Sequence, residues 1–173
     1  MFKKILCPVD GSEHARRALD LAISMAKAFD AELIVSHALL RHADAKALQL
    51  FASVEGLAPH VEPVLQRLGT IEARLDVGPS YDDRVVPSRV LVEIGQHVID
   101  DAALDAKEAG VRKVDAVLMD EEPADGILRC IKERGVDCVV MGSRGLSDLK
   151  GLFLGSVSHK VMNRAPCTCI AVK

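Results

Sequence analysis

The chain has 173 residues, 49% of them hydrophobic and 27% charged, with no Trp and a formal net charge of −3. That size and composition suit one soluble α/β domain with a real core, and the slightly acidic balance argues against nucleic acid or an anionic membrane as main partner. No stretch approaches the length of a transmembrane helix. The apolar run after Met1-Phe-Lys-Lys4 is too short for a signal peptide and ends at Pro8 and Asp10, so a cytoplasmic protein is expected.

The first strand is read over Lys4–Val9 and the first helix over Glu13–Phe29, with Ser12 as its N-cap. Ala15, Leu19, Ala22, Ala26 and Phe29 recur at helical spacing and form its apolar stripe. A second, nearly continuous apolar strand spans Glu32–Leu39. Buried strands alternating with helices indicate a parallel sheet covered on both faces. From Leu40 to Ser88 the pattern weakens. Ala43–Val54 and Val61–Leu68 have helical character, interrupted by Gly56, Pro59, Pro63 and Gly69, and 76–84 is loop-like in its Gly, Pro and Asp content. A segment of this kind orders itself mainly by packing; a specificity or assembly element is the alternative.

The helical period returns at Val90, Leu91, Ile94, Val98 and Ala102 and closes at Gly110. Val114–Met119 reads as the third strand. Asp125 is expected to cap a short helix with Ile127, Leu128 and Ile131 inward, ended by Gly135. Asp137–Gly142 is the fourth strand, Ser156–Arg164 the last helix with Val157, Val161 and Met162 on one face, and Cys167–Val172 the fifth strand. Five strands alternating with helices predict a doubly wound sheet. Of the five cysteines, Cys7, Cys138, Cys167 and Cys169 fall in or beside strands and Cys130 on a helix. Cys167-x-Cys169 lacks the spacing of zinc or redox motifs, and period two places both on one sheet face, so reduced structural thiols are expected. No His, Asp or Glu cluster has metal-ligand spacing.

The most informative stretch is Met141-Gly-Ser-Arg-Gly-Leu-Ser-Asp-Leu-Lys-Gly-Leu-Phe-Leu-Gly-Ser-Val-Ser158. A buried strand, a glycine-punctuated loop and a helix N-terminus in that order make a phosphate cradle. Glycines let the backbone come close to an anion, and the first-turn N–H groups point at it. Gly142 and Gly145 fit the turn leaving the strand; Gly155 fits the helix start, where Ser156 and Ser158 offer hydroxyls. Asp10-Gly11-Ser12 is a strong turn sequence in its own right.

The spacing Gly142-x2-Gly145-x9-Gly155-Ser156 resembles the ATP-binding signature of the universal stress protein family. The resemblance extends to Phe2–Ser12, whose strand ends in Pro8-x-Asp10, to Glu32–Ala38, to Gly135–Gly142 and to Ala165–Lys173, about two thirds of the chain in the right order. It implies the strand order 3-2-1-4-5 of the adenine nucleotide alpha-hydrolase-like, Rossmann-like three-layer sandwich, in one domain over residues 1–173 with a variable insertion at about 40–88. A ligand binds such sheets at the carboxyl ends of strands where the order reverses, here between the first and fourth. The resemblance further implies that Asp10 meets the ribose and that Pro8 and Ala38 line the adenine pocket. Met141, Gly142 and Gly145 would wrap the ribose and phosphates, and Gly155, Ser156, Val157 and Ser158 would hold the phosphates. Arg144 and Lys150 are either phosphate neighbours or solvated cations; His159 is read as a surface residue and His37 as a satisfied, partly buried one.

ATP, with Mg²⁺ or Mn²⁺ carried by its phosphates, is the expected ligand. The expected role is a nucleotide-responsive regulatory homodimer in stress response, paired through the C-terminal strand and extended to a tetramer or not, with an unidentified protein partner reading an ATP-ordered loop. A slow ATP hydrolase and a nucleotide-independent scaffold are the alternatives; flavin binding has fold-level support alone. Lys150-Gly151 does not form a Walker A ending, the loop after the first strand is not the Ser-Gly-Gly-x-Asp-Ser type of adenylating relatives, and no general base is identifiable.

Overall fold

A computed structural model of the protein describes residues 1–39, 88–145 and 154–173. The helical readings over 43–54 and 61–68, the insertion short of Ser88, and Lys150 lie outside the described residues. The elements are β1 (Lys4–Pro8), α1 (Glu13–Phe29), β2 (Glu32–Ala38), α2 (Ser88–Glu108), β3 (Val114–Met119), α3 (Pro123–Arg134), β4 (Cys138–Gly142), α4 (Ser156–Arg164) and β5 (Thr168–Val172). Every strand pair is parallel and the sheet order is β3-β2-β1-β4-β5, the doubly wound order expected.

The physical basis of the layers is the side-chain alternation of the strands. Ile5, Cys7, Leu33, Val35, Cys138 and Val140 join the buried residues of α1 and α2 on one face. Leu6, Ile34, Val139 and Met141 join Ile127, Ile131 and Val161 of α3 and α4 on the other. Ile5, Leu6, Leu33 and Ile34 are fully buried, and each contributes roughly 1.5–3 kcal/mol of apolar burial. The sheet is buried on both sides through its centre.

Ser12 caps α1 as read from sequence, its Oγ accepting from Ala15 N at 3.2 Å. At the other end Asp30 takes the left-handed conformation (φ 53°), and its N–H reaches the last carbonyls. Two readings are corrected. Asp125 is not the cap of α3. Glu122 is, accepting from Asp125 N at 3.3 Å, and Pro123 opens the helix; proline suits the first turn because the donor it lacks is unpaired there anyway. Met162 does not share the inward face of α4. It is 39% exposed while Val161 is 0% exposed, because adjacent residues sit about 100° apart on a helix and only Val157 and Val161, four apart, project the same way.

The sheet is pinned at one end and open at the other. Asp137 accepts from Lys3 N (2.8 Å) and Lys4 N (3.3 Å), tying the start of β1 to the start of β4. The pairing between these two strands then runs through Ile5↔Cys138 and Leu6↔Val139, whereas β1 pairs with β2 up to Pro8↔Ser36 and β4 with β5 up to Gly142↔Val172. Past Leu6 and Val139 the pairing of the two central strands ends, and the switch-point crevice of a doubly wound sheet lies at their carboxyl ends. All five cysteines are free thiols. Burial pushes the Cys138 and Cys167 thiols up to about 11, which keeps them protonated.

Candidate functional site

The crevice collects most of the glycine signature. Gly142, at the end of β4, faces the start of α1. A Cβ there would lie 3.0 Å from Ala15 N, 3.0 Å from His14 C and 2.9 Å from Arg144 O, all backbone atoms. No side chain fits between β4 and α1, which explains glycine without any φ argument. Gly145 sits against Asp10, and a Cβ on it would run into Asp10 Oδ2. The loop after β4 thus meets the loop after β1, and Asp10 stands between them. Asp10 also accepts from Ser12 N at 3.0 Å, so its turn role and its place in the crevice coexist. Gly11 follows at φ 80°, a conformation that glycine adopts at no steric cost.

The start of α4 is fastened to the same loop. Gly155 N donates to Ser143 O at 2.7 Å, and a Cβ on Gly155 would lie 3.4 Å from Arg144 Cα. Ser158, 4% exposed, donates its hydroxyl to Ser143 O (2.8 Å) and Gly155 O (3.0 Å). Its proton is therefore directed at backbone carbonyls, not at the crevice, while the exposed Ser156 hydroxyl meets solvent. Ser143 was not singled out from sequence. Its carbonyl collects both of these bonds, and its own Oγ is buried without a hydrogen-bond partner. A Ser between two signature glycines is the signal, a weak one.

Three described helices allow their N-termini to be compared. α1 is capped by Ser12 and has Glu13 in its first turn; α3 is capped by Glu122 and has Asp125. α4 begins at Gly155 (φ −70°, ψ 161°) with no side-chain cap bond and no acidic residue in its first turn. The N–H groups of Ser156, Val157 and Ser158 open this helix, and the positive end of its dipole is not offset by a carboxylate of that turn. Such an end favours an anion.

The remaining expected residues are placed more loosely. Pro8 pairs in register with Ser36, and Met141, 3% exposed, belongs to the core face covered by α3 and α4. Ala38 stands at the outer end of β2, opposite Met119 of β3 rather than opposite β1. Arg144 is half-buried beside Gly142 and Gly155. His159 is exposed and contacts Asn163, as read. His37 is buried, with Nδ1 2.8 Å from Val9 O. Burial lowers its pKa, opposed by that bond and by the charge of Asp10. A cavity of about 170 Å³ lies between α1 and α2, bordered by Val9, Gly11 and Ser12 of the loop after β1 and lined by Arg16 but also by Asp20, Asp101 and Asp105; those three carboxylates repel phosphate. Among the described residues no cluster of His, Cys, Asp or Glu is arranged to hold a metal, and no helix is long and apolar enough to cross a membrane.

Comparison with known proteins places this geometry. The model of the Universal stress protein family matches residues 1–173. Universal stress protein YxiE of Bacillus subtilis (strain 168) is 33% identical over 173 residues, covering 100% of both chains. The universal stress protein in the QAH/OAS sulfhydrylase 3′ region of Thermus aquaticus is 34% identical, again over 100% of each chain. Among solved structures, universal stress protein UspA from Lactobacillus plantarum has a TM-score of 0.66 at 20% identity, covering 99% of this chain and 98% of that one. A universal stress protein in complex with cAMP has a TM-score of 0.59 at 21% identity, with 99% and 96% covered. A family protein from Arabidopsis thaliana with AMP bound has 0.61 at 17%, with 99% and 91% covered.

Proposed function

This chain belongs to the universal stress protein family, and from that premise we propose that it binds an adenine nucleotide, ATP in the first instance, in the crevice between β1 and β4. The observation that carries this reading is the N-terminus of α4, which among the described residues has no side-chain cap and no acid in its first turn, set beside Gly142, where the backbone of α1 leaves no room for a side chain. The N–H groups of 156–158 and the Ser156 hydroxyl donate to the phosphates. Asp10 accepts from the ribose hydroxyls, Met141, Gly142 and Gly145 surround the sugar, and Pro8 and Ala38 border the base. Relatives crystallised with cAMP and AMP support an adenine nucleotide as the ligand class. Mg²⁺ or Mn²⁺ arrives with the phosphates and is held by them and by water.

The role we propose is regulatory. The nucleotide-loaded form is read by a protein partner in the cytoplasm during stress, and the chain works as a homodimer. β5 is an edge strand whose Cys169, Ile170, Ala171 and Val172 remain half-buried, and pairing with β5 of a second copy removes the open edge. Calorimetric titration of the protein with ATP, and with adenosine in parallel, tests the binding proposal. Micromolar ATP binding with adenosine much weaker supports the phosphate assignment to α4, whereas equal affinities remove it. Rapid ATP hydrolysis in the same mixtures points instead to an enzyme. An Ile170→Lys variant examined by sedimentation is expected to be monomeric; an unchanged dimer rejects the β5 interface.

A further inference from the structure

We infer that His37 is a positioning residue of this site: its imidazole holds the Val9 carbonyl and thereby fixes the peptide that carries Asp10 into the crevice. This rests on the proposed nucleotide reading and extends it to a residue on the far side of the sheet from α4.

The β1–β2 ladder ends at Pro8↔Ser36. Val9 still donates to Ser36 O at 2.8 Å, but its carbonyl lies past the last paired residue, in a position 7% exposed to solvent. A buried carbonyl without a donor costs free energy. His37 meets the need with Nδ1 at 2.8 Å. The next residue is Asp10, fixed downstream by Ser12 N at 3.0 Å and faced by Gly145. The carboxylate is therefore held on both sides of its own peptide, upstream by His37 and downstream by Ser12.

A second observation shows that space is kept for this imidazole. α2 carries a glycine in its middle, where glycine costs helix stability. A Cβ at Gly95 would stand 3.1 Å from His37 Cδ2, 3.1 Å from Leu39 Cδ2 and 2.8 Å from Leu118 Cδ1. Helix α2 lies close over β2 because that side chain is missing, and His37 is confined beneath it, 4% exposed.

The contact also determines a tautomer. A carbonyl only accepts, so the proton of the neutral ring is on Nδ1 and not on Nε2. Burial, which lowers the His37 pKa, favours that neutral form at pH 7.

The test is a double-mutant cycle read by ATP titration. His37→Leu removes the donor and is expected to weaken ATP about tenfold. His37→Asn places an amide N–H near the position of Nδ1 and is expected to restore affinity to within about twofold. In an Asp10→Ala background His37→Leu is expected to add little further loss, because the residue acts through Asp10. Full additivity of the two losses, or failure of His37→Asn to rescue a folded protein, overturns the inference. Nitrogen NMR of the imidazole needs no nucleotide: a proton on Nε2 and none on Nδ1 overturns it whether or not ATP binds. Wild-type protein that takes up no ATP overturns the functional reading instead, and the nitrogen spectrum then decides the His37–Val9 contact alone.

Discussion

Helices α3 and α4 pack on one face of the sheet, and their first turns are finished in opposite ways. At α3 the chain provides its own anion: Glu122 caps the helix and Asp125 adds a second carboxylate. At α4 the described residues provide neither. The two are bound together by Lys160, which reaches Glu122 and Asp125 at 3.1 Å each, and by Arg164, 3.2 Å from Asp125. The Lys160 hydrogen bond, with help from Arg164, holds the Asp125 carboxyl below its usual range, and the two acids hold the Lys160 ammonium up. One helix start is closed for stability, and the charged contacts between the helices hold its open neighbour in place. On the proposed reading, α4 forgoes local stabilisation to keep donors for the nucleotide.

The largest expected effect comes from filling the glycine gap between β4 and α1. Gly142→Val forces side-chain atoms onto the backbone of His14, Ala15 and Arg144. It should weaken ATP by about a hundredfold or more and cost roughly 1–3 kcal/mol of stability, read by calorimetry and thermal melting together. Gly145→Ala touches Asp10 alone, so it should reduce ATP affinity about tenfold with a melting point little changed. Retention of full affinity removes Asp10 and Gly145 from the site.

Closing and opening the helix ends sharpens the contrast. Glu122→Ala should cost about 1 kcal/mol as a lost cap, lowering Tm by roughly 2–4 °C, without moving ATP affinity. Ser156→Ala should do the converse, with stability held to within about 0.5 kcal/mol and ATP weakened a few-fold. Variants that behave alike would show that the two helix starts do not differ in function.

Acid provides a further test, on the His37 side of the crevice. The folded pKa of His37 lies below its ordinary 6.5, so below pH 6.5 the unfolded chain binds a proton that the folded chain refuses. Stability should fall as pH drops from 6.5 toward the folded value, by at most about 1.4 kcal/mol per pH unit. Melting curves of His37→Asn across that range should lack this component. A wild-type curve flat from about pH 7 to about pH 5 would place His37 in contact with water.

Much of this was legible in the residues. Strands with near-continuous apolar character, the Ser12 cap and the helix closed by Gly135 are local signals, and each lies within a residue or two of where it was expected. The glycine spacing after β4 was legible too, and at Gly142 the close approach of backbone atoms is the physical reason. What misled was also local. Asp125 is the better cap by type, and only Pro123 marks the earlier start. Met162 looked inward by composition, although its angular offset from Val161 turns it outward.

The sequence by itself determined the alternation of strands and helices and the glycine spacing, because periodicity and turn residues act over a few neighbouring positions; the strand order followed from the family resemblance that this spacing carries. The tertiary structure alone decided how those positions are used. It set Gly145 against Asp10, gave the Ser158 hydroxyl to Ser143 O and placed His37 under Gly95 with its nitrogen on Val9. Each of these joins residues distant in the chain through a contact a few ångströms long, and contacts of that kind exist only once the sheet has brought its strand ends together.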